Sequence, residues 1–191
     1  MIYWPIEVFL VTDPLKVNSL PLIAEVRFQK DYFSKYPQEI SVGKQQSTVL
    51  YSRKPGYYAV HSEQPGTVTP EAVLELNEGA IAVFQGEPNQ AKHSTATLSP
   101  VYALQPSNTL AVPTGQVFIR FGEGIEVESQ REAINKAGYE VVQRLSYAPH
   151  AAWLRHRSGN IYDALTGIDQ LQAIPGVENV EPQMLMERSL R

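Results

Sequence analysis

The residues able to do chemistry in this chain are few and scattered. His61, His93, His150 and His156 are its four histidines, the side chains whose ordinary pKa lies nearest neutrality. None stands in the context of a Ser–His–Asp triad, and no Gly-x-Ser-x-Gly elbow is present to hold a nucleophilic serine. His150 and His156 share a face of a predicted strand, but six strand residues separate them by about 20 Å, too far for one metal ion. Cysteine is absent, which removes disulfides, thiolate metal ligands and a cysteine nucleophile together. Glu123, Glu126, Glu128 and Glu132 gather where a helix is predicted to start. Acidic residues are favoured there in any case, whereas acid–base catalysis needs a carboxyl buried in a cleft. Gly122-Glu123-Gly124 is too short to cradle a phosphate. The expectation is a protein without catalytic residues, cofactor or metal, hence not an enzyme. Trp153, on a predicted strand between small and basic residues, reads as a packing or interface residue.

Charge narrows the partners. The net charge is −4, and no run of five or more lysines and arginines occurs, so the footprint for a phosphate backbone is missing and no nucleic acid is expected. Hydrophobic residues make up 43% of the chain, enough for a packed core. No stretch approaches the roughly 18 apolar residues of a membrane helix. The apolar start carries Glu7 and no preceding basic residue, reading as a strand rather than a signal peptide. No membrane association is expected, and the cytoplasm is the default location.

Several elements must position these residues. Alternating apolar residues predict strands at 6–11 and 22–28. Runs at 48–51 and 57–61 flank Lys54-Pro55-Gly56, a hairpin or tight-turn signal. Thr69-Pro70-Glu71 has the chemistry of a helix start, predicting a short helix to about residue 77. Strands follow at 81–84 and 101–104, and Pro106, Pro113 and Gly115 punctuate a boundary. Beyond it a strand is predicted at 116–121, a helix at 127–137 stopped by Gly138, and strands at 139–145 and 151–156. A helix at 161–173 is broken by Pro175-Gly176, and a last strand covers 177–180. Strand, helix, strand, strand, helix, strand is the split βαβ order. The fold class expected is therefore α+β: a β-rich domain at 1–110 and a ferredoxin-like βαββαβ domain at 111–191, its second sheet face open to a partner or to the preceding domain.

From about residue 115 the chain resembles the propeptide and proteinase-inhibitor family of subtilisin-like serine proteases. The resemblance rests on Val117-Phe118-Ile119-Arg120-Phe121, on Gly138-Tyr139-Glu140-Val141-Val142, and on Ala148-Pro149. It closes with Leu171-Gln172-Ala173-Ile174-Pro175-Gly176-Val177, then Glu178-Asn179-Val180-Glu181-Pro182. The resemblance implies an inhibitor or folding chaperone whose partner is a subtilisin-like serine protease. It implies docking through the sheet face or edge, at Glu181 and Trp153. It also implies a tail lying in the substrate cleft through Met184, Leu185, Met186, Glu187, Arg188 and Ser189, with Met186 near a hydrophobic pocket and Ser189 near the scissile position. Strand addition supplies the physics: main-chain bonds give affinity and alternate side chains give specificity. The alternative is a protein-interaction or small-ligand regulatory module with no protease partner.

Overall fold

The computed structural model describes residues 31–43, 49–62, 70–88, 93 and 96–187. The strands predicted at 6–11 and 22–28, together with Arg188 and Ser189, lie outside the described residues. In chain order the elements are β1 (Glu39–Val42), β2 (Val49–His61), β3 (Leu74–Leu76), β4 (Ile81–Gln85), β5 (Thr97–Leu104) and β6 (Thr109–Phe121). A 3-10 turn (Val127–Gln130), α1 (Arg131–Lys136), β7 (Tyr139–Leu145) and β8 (Ala148–His156) follow, then α2 (Ile161–Thr166), α3 (Ile168–Gln172) and β9 (Val177–Met186). The strands form one sheet in the order β3-β4-β2-β5-β6-β8-β7, with β1 added to β2 and β9 to β6. Every pairing is antiparallel.

This corrects the expected fold class. Strand takes up 52% of the described residues and helix 15%, so the chain is a β-rich antiparallel fold rather than an α+β protein with a ferredoxin-like βαββαβ domain. The boundary expected at 110/111 falls inside β6, and residues 31–191 form one compact unit. The physical reason lies in two long strands, β2 and β6, each of 13 residues. Pro55-Gly56 does not reverse the chain. β2 runs through it with a shift of register against β5 between Arg53 and Tyr58, and Gly56 takes φ +76°, a conformation that costs glycine little. Before the bulge β2 pairs with β1; after it, on residues 57–61, with β4. β6 repeats the device. Its first residues pair with β5 and residues 116–120 with β8, while Pro113 and Gly115 (φ +85°) fall between the two partners. Proline lacks an N–H and suits a point where a ladder is interrupted.

Among the described residues, 70–77 are not helical, a second correction. Leu74 and Leu76 alternate around Glu75 as β3, paired on β4. Asn77, Glu78 and Gly79 all take positive φ in the turn that follows, which is turn chemistry rather than helix chemistry. The helix predicted at 161–173 is broken at Gly167. Tyr139 Oη donates to the Ala164 carbonyl at 2.8 Å, the oxygen that an unbroken helix would offer to the N–H of residue 168.

Side chains from both ends of the unit share cores. Val117, Ile119, Phe121, Leu154, Val180, Tyr139, Ile134 and Leu171 form one cluster between the sheet and the helices. Ile161 and Leu165 of α2 join Ile40, Val42, Tyr51, Tyr102 and Ala111 in another, with Met184 and Met186 packed against it. On the opposite sheet face Ala59, Val83, Val101 and Val112 gather with Leu185.

A β-carbon on Gly167 would stand 2.6 Å from Tyr139 Oη, inside the hydrogen-bonded pocket of a fully buried ring. Gly167→Ala is expected to destabilise the protein by about 1–3 kcal/mol. Combined with Tyr139→Phe it should cost less than the sum of the two single changes, since the phenol oxygen is what the new methyl meets. Urea unfolding of the four proteins in the cycle measures both quantities.

Candidate functional site

Two groupings place serine beside histidine, and neither assembles a hydrolase. His61 Nε2 lies 2.8 Å from Ser99 Oγ, joined across the β2–β5 ladder. Ser99 is wholly buried, however, and among the described residues no carboxylate orients the imidazole, so a nucleophile–base pair lacks both access and its third member. Burial pushes the His61 imidazole down to about 4, so near neutrality the ring is a neutral hydrogen-bonding group. Sequence reading missed this pair, because its members stand 38 residues apart and only the strand register joins them.

In the second grouping Ser158 Oγ donates to Asp163 Oδ2 at 2.5 Å and faces His156 Nδ1 at 2.9 Å. The serine therefore sits between acid and imidazole, where a triad needs the imidazole in the middle. Asn160 Nδ2 also donates to Asp163 Oδ2 at 3.2 Å, and these two bonds hold the Asp163 carboxyl below its usual range. The cluster organises the start of α2. Of the acidic group around α1, Glu128 pairs with Arg131 at 3.0 Å and Arg144 at 3.5 Å, and Glu132 with Lys136 at 2.9 Å. These are exposed ion pairs of small energetic consequence. Among the described residues no cluster of three metal-ligating side chains occurs.

The face of the sheet turned away from the helices is different. Alternation along each strand sends Val117, Ile119 and Leu154 into the helix-side core and their neighbours to the other face. Phe118 of β6 is the centre of that face. It pairs with Trp153 of β8 on one side and Glu181 of β9 on the other, while Trp153 pairs in turn with Gln143 of β7. The two rings meet edge to face, 5.4 Å between centroids. Both are partly exposed, and neither belongs to any of the buried clusters among the described residues.

Charged groups surround the rings. Arg155 Nη2 and Nε donate to Glu140 Oε1 at 2.6 and 3.2 Å, and this bonding holds the Glu140 carboxyl below its usual range. Arg120 Nε stands 3.5 Å from Glu178 Oε2. Asn179 Nδ2 donates to Glu181 Oε1 at 2.6 Å. An aromatic centre with a charged rim is the composition of a protein-docking surface.

The structure thus brings Trp153 and Glu181 into one row, with Phe118, which the sequence offered only as a strand residue, between them. It treats the expected tail otherwise. Met184, Leu185 and Met186 are strand residues of β9, opposite Pro113, Val112 and Ala111. Their side chains alternate between the two cores, Met184 and Met186 on one and Leu185 on the other. They are not a loose segment awaiting a cleft; Glu187 is exposed just beyond β9. Compared with known proteins, the chain matches no family model, no curated protein and no solved structure.

Two measurements check this description. Because the Phe118–Trp153 pair lies outside the cores, Phe118→Ala and Trp153→Ala should each cost about 1 kcal/mol, whereas Leu154→Ala, from the fully buried opposite face, should cost about 3 kcal/mol. Urea midpoints rank the three.

His61 binds a proton near pH 6.5 when unfolded and near 4 when folded, so the unfolded chain is protonated first. Its stabilisation is complete above about pH 6.5 and is lost as pH falls towards 4, by at most about 3 kcal/mol. His61→Gln should remove this component of the acid sensitivity, read as the difference between the two proteins' unfolding free energies from pH 7 to 4.

Proposed function

We propose that this protein is a non-catalytic binding module that docks a folded protein partner on the sheet face centred on Phe118 and Trp153. The observation that carries the reading is that pair of rings, left out of every core among the described residues, on the face opposite the helices. Two large aromatic side chains lying half-buried side by side offer apolar surface that a partner can cover. Each offers broad contact area with little conformational freedom to lose.

The partner class we propose is a subtilisin-like serine protease, which the resemblance over about residues 115–191 suggests. The mode of engagement rests on the face alone. Inserting Met184, Leu185 and Met186 into a cleft would first require peeling them from β6 and opening two cores, which opposes binding by the full cost of exposing those side chains. A role in assisting the folding of such a partner is compatible with the same face, since a preformed sheet can template surface helices packed upon it.

The test is to mix the protein with a panel of purified subtilisin-like proteases, following residual peptidase activity and complex formation by size-exclusion chromatography. A complex with at least one enzyme is expected, weakened about tenfold or more by Phe118→Ala or Trp153→Ala. No complex across the panel would overturn the protease assignment, and a complex indifferent to both substitutions would overturn the docking face.

A further inference from the structure

Resting on that docking face, we infer that the partner presents an arginine or lysine side chain, which lies along the Phe118–Trp153 pair and ends at the Glu181 carboxylate.

The argument starts from the charges on the face. Arg155 is engaged with Glu140 and Arg120 with Glu178. Glu181 has no basic partner among the described residues. Its one hydrogen bond comes from the Asn179 amide to Oε1, which orients the carboxylate without neutralising it and leaves Oε2 for another donor. The field of this carboxylate is felt as far as Tyr51, where it adds to burial in raising the phenol pKa.

Position supplies the second part. Trp153, Phe118 and Glu181 occupy one cross-strand row on three adjacent strands. Strands lie about 4.8 Å apart, so the row from indole to carboxylate spans roughly 10 Å. A basic side chain laid along it places its methylene stem and its cationic head over aromatic faces, which attract cations, and its donors at the carboxylate. Arginine fits better than lysine, because a planar guanidinium stacks on a ring and still offers donors in its plane.

The same geometry weighs against other anchors. A purely apolar partner surface would strip water from Glu181 and return no compensating charge, which is costly for a carboxylate. An acidic anchor would meet Glu181 itself, and would have to break an existing pair to find either arginine. A basic side chain satisfies the row as it stands.

The experiment uses the full chain carrying Trp4→Phe. Of the two tryptophans this leaves Trp153 alone to report. Its emission is titrated with the peptide Ac-Gly-Arg-Gly-NH2, the lysine analogue, and the citrulline analogue, which keeps the shape of arginine without its charge. Saturable binding of the arginine peptide is expected, with the citrulline peptide about tenfold weaker or more. Glu181→Gln should abolish that preference while leaving the circular dichroism spectrum unchanged. Equal binding of arginine and citrulline peptides, or a preference that survives Glu181→Gln, would overturn the inference. The docking reading fails separately. If partner complexes still depend on Phe118 and Trp153 while the peptides show no charge preference, only the basic anchor falls; if the complexes ignore both rings, the two fall together.

Discussion

The antiparallel ladder between β6 and β9 is the constraint from which the other features follow. β9 runs along one edge of β6 from Phe121 back to Ala111, through two shifts of register. The opposite edge of β6 is divided, first to β5 and then to β8. One strand is therefore common to the hairpins of the first half and to the helix-backed layer of the second, and β9 clamps it along nearly its whole length. Were β9 to stop at Val180, residues 111–113 would lose their hydrogen-bonding partner on that edge. Met184, Met186 and Leu185 would leave gaps in cores on both faces of the sheet. Gly115 shows how tightly the region is drawn together: a β-carbon there would come within 3.2 Å of Ile161 Cγ1, so the first residue of α2 rests on the bulge itself.

The division of β6 has a counterpart in β2. Each of these strands keeps one partner along its length and exchanges the other at a proline-containing irregularity: β1 for β4 near Pro55-Gly56, β5 for β8 near Pro113 and Gly115. A sheet built this way can turn through a large angle without ending a strand, because a bulge concentrates twist locally. It can then carry cores on both faces in its first half while, among the described residues, one face of its second half holds no buried cluster. The architecture, rather than any single side chain, creates the surface on which Phe118 and Trp153 stand.

The same device explains which parts of the fold were legible in the sequence. Signals contained within one element were readable: β7 spans the predicted 139–145, and Gly138, at φ +90°, ends α1 where its type suggested. Pro55-Gly56 was ambiguous for a physical reason. Proline and glycine announce that a ladder is interrupted, but whether the chain reverses or bulges depends on β4 and β5, which lie elsewhere in the chain. The Thr69-Pro70-Glu71 segment carried local helix chemistry that the pairing of Leu74 and Leu76 with β4 overrode. The alternation of Met184, Leu185 and Met186 is plain in retrospect, yet three residues after Pro182 become a strand only because residues 111–113 offer an edge. Partner-dependent signals also hid Ser99 from His61 and placed Phe118 between Trp153 and Glu181. α+β was the class assigned because the helices announce themselves locally, whereas the unity of the sheet is a property of register.

How the molecule treats its polar groups bears on the absence of an assembled reaction centre from the described residues. Ser99 is the buried polar side chain of the described core, and it is spent on His61. Tyr102 and Tyr139 bury their rings and give their hydroxyls to the carbonyls of Pro37 and Ala164, at 2.9 and 2.8 Å, with burial raising both pKa values. These donors lock chain segments together: Tyr102 holds the approach to β1, and Tyr139 the break between α2 and α3. Ser99, Tyr102 and Tyr139 thus commit their hydroxyls to structure, and several of the surface charges pair with one another. At the edge of the aromatic row a carboxylate is oriented by an amide and has no basic partner among the described residues. That charge stands beside two half-buried rings, and the juxtaposition is the feature on which the proposed recognition of a partner rests.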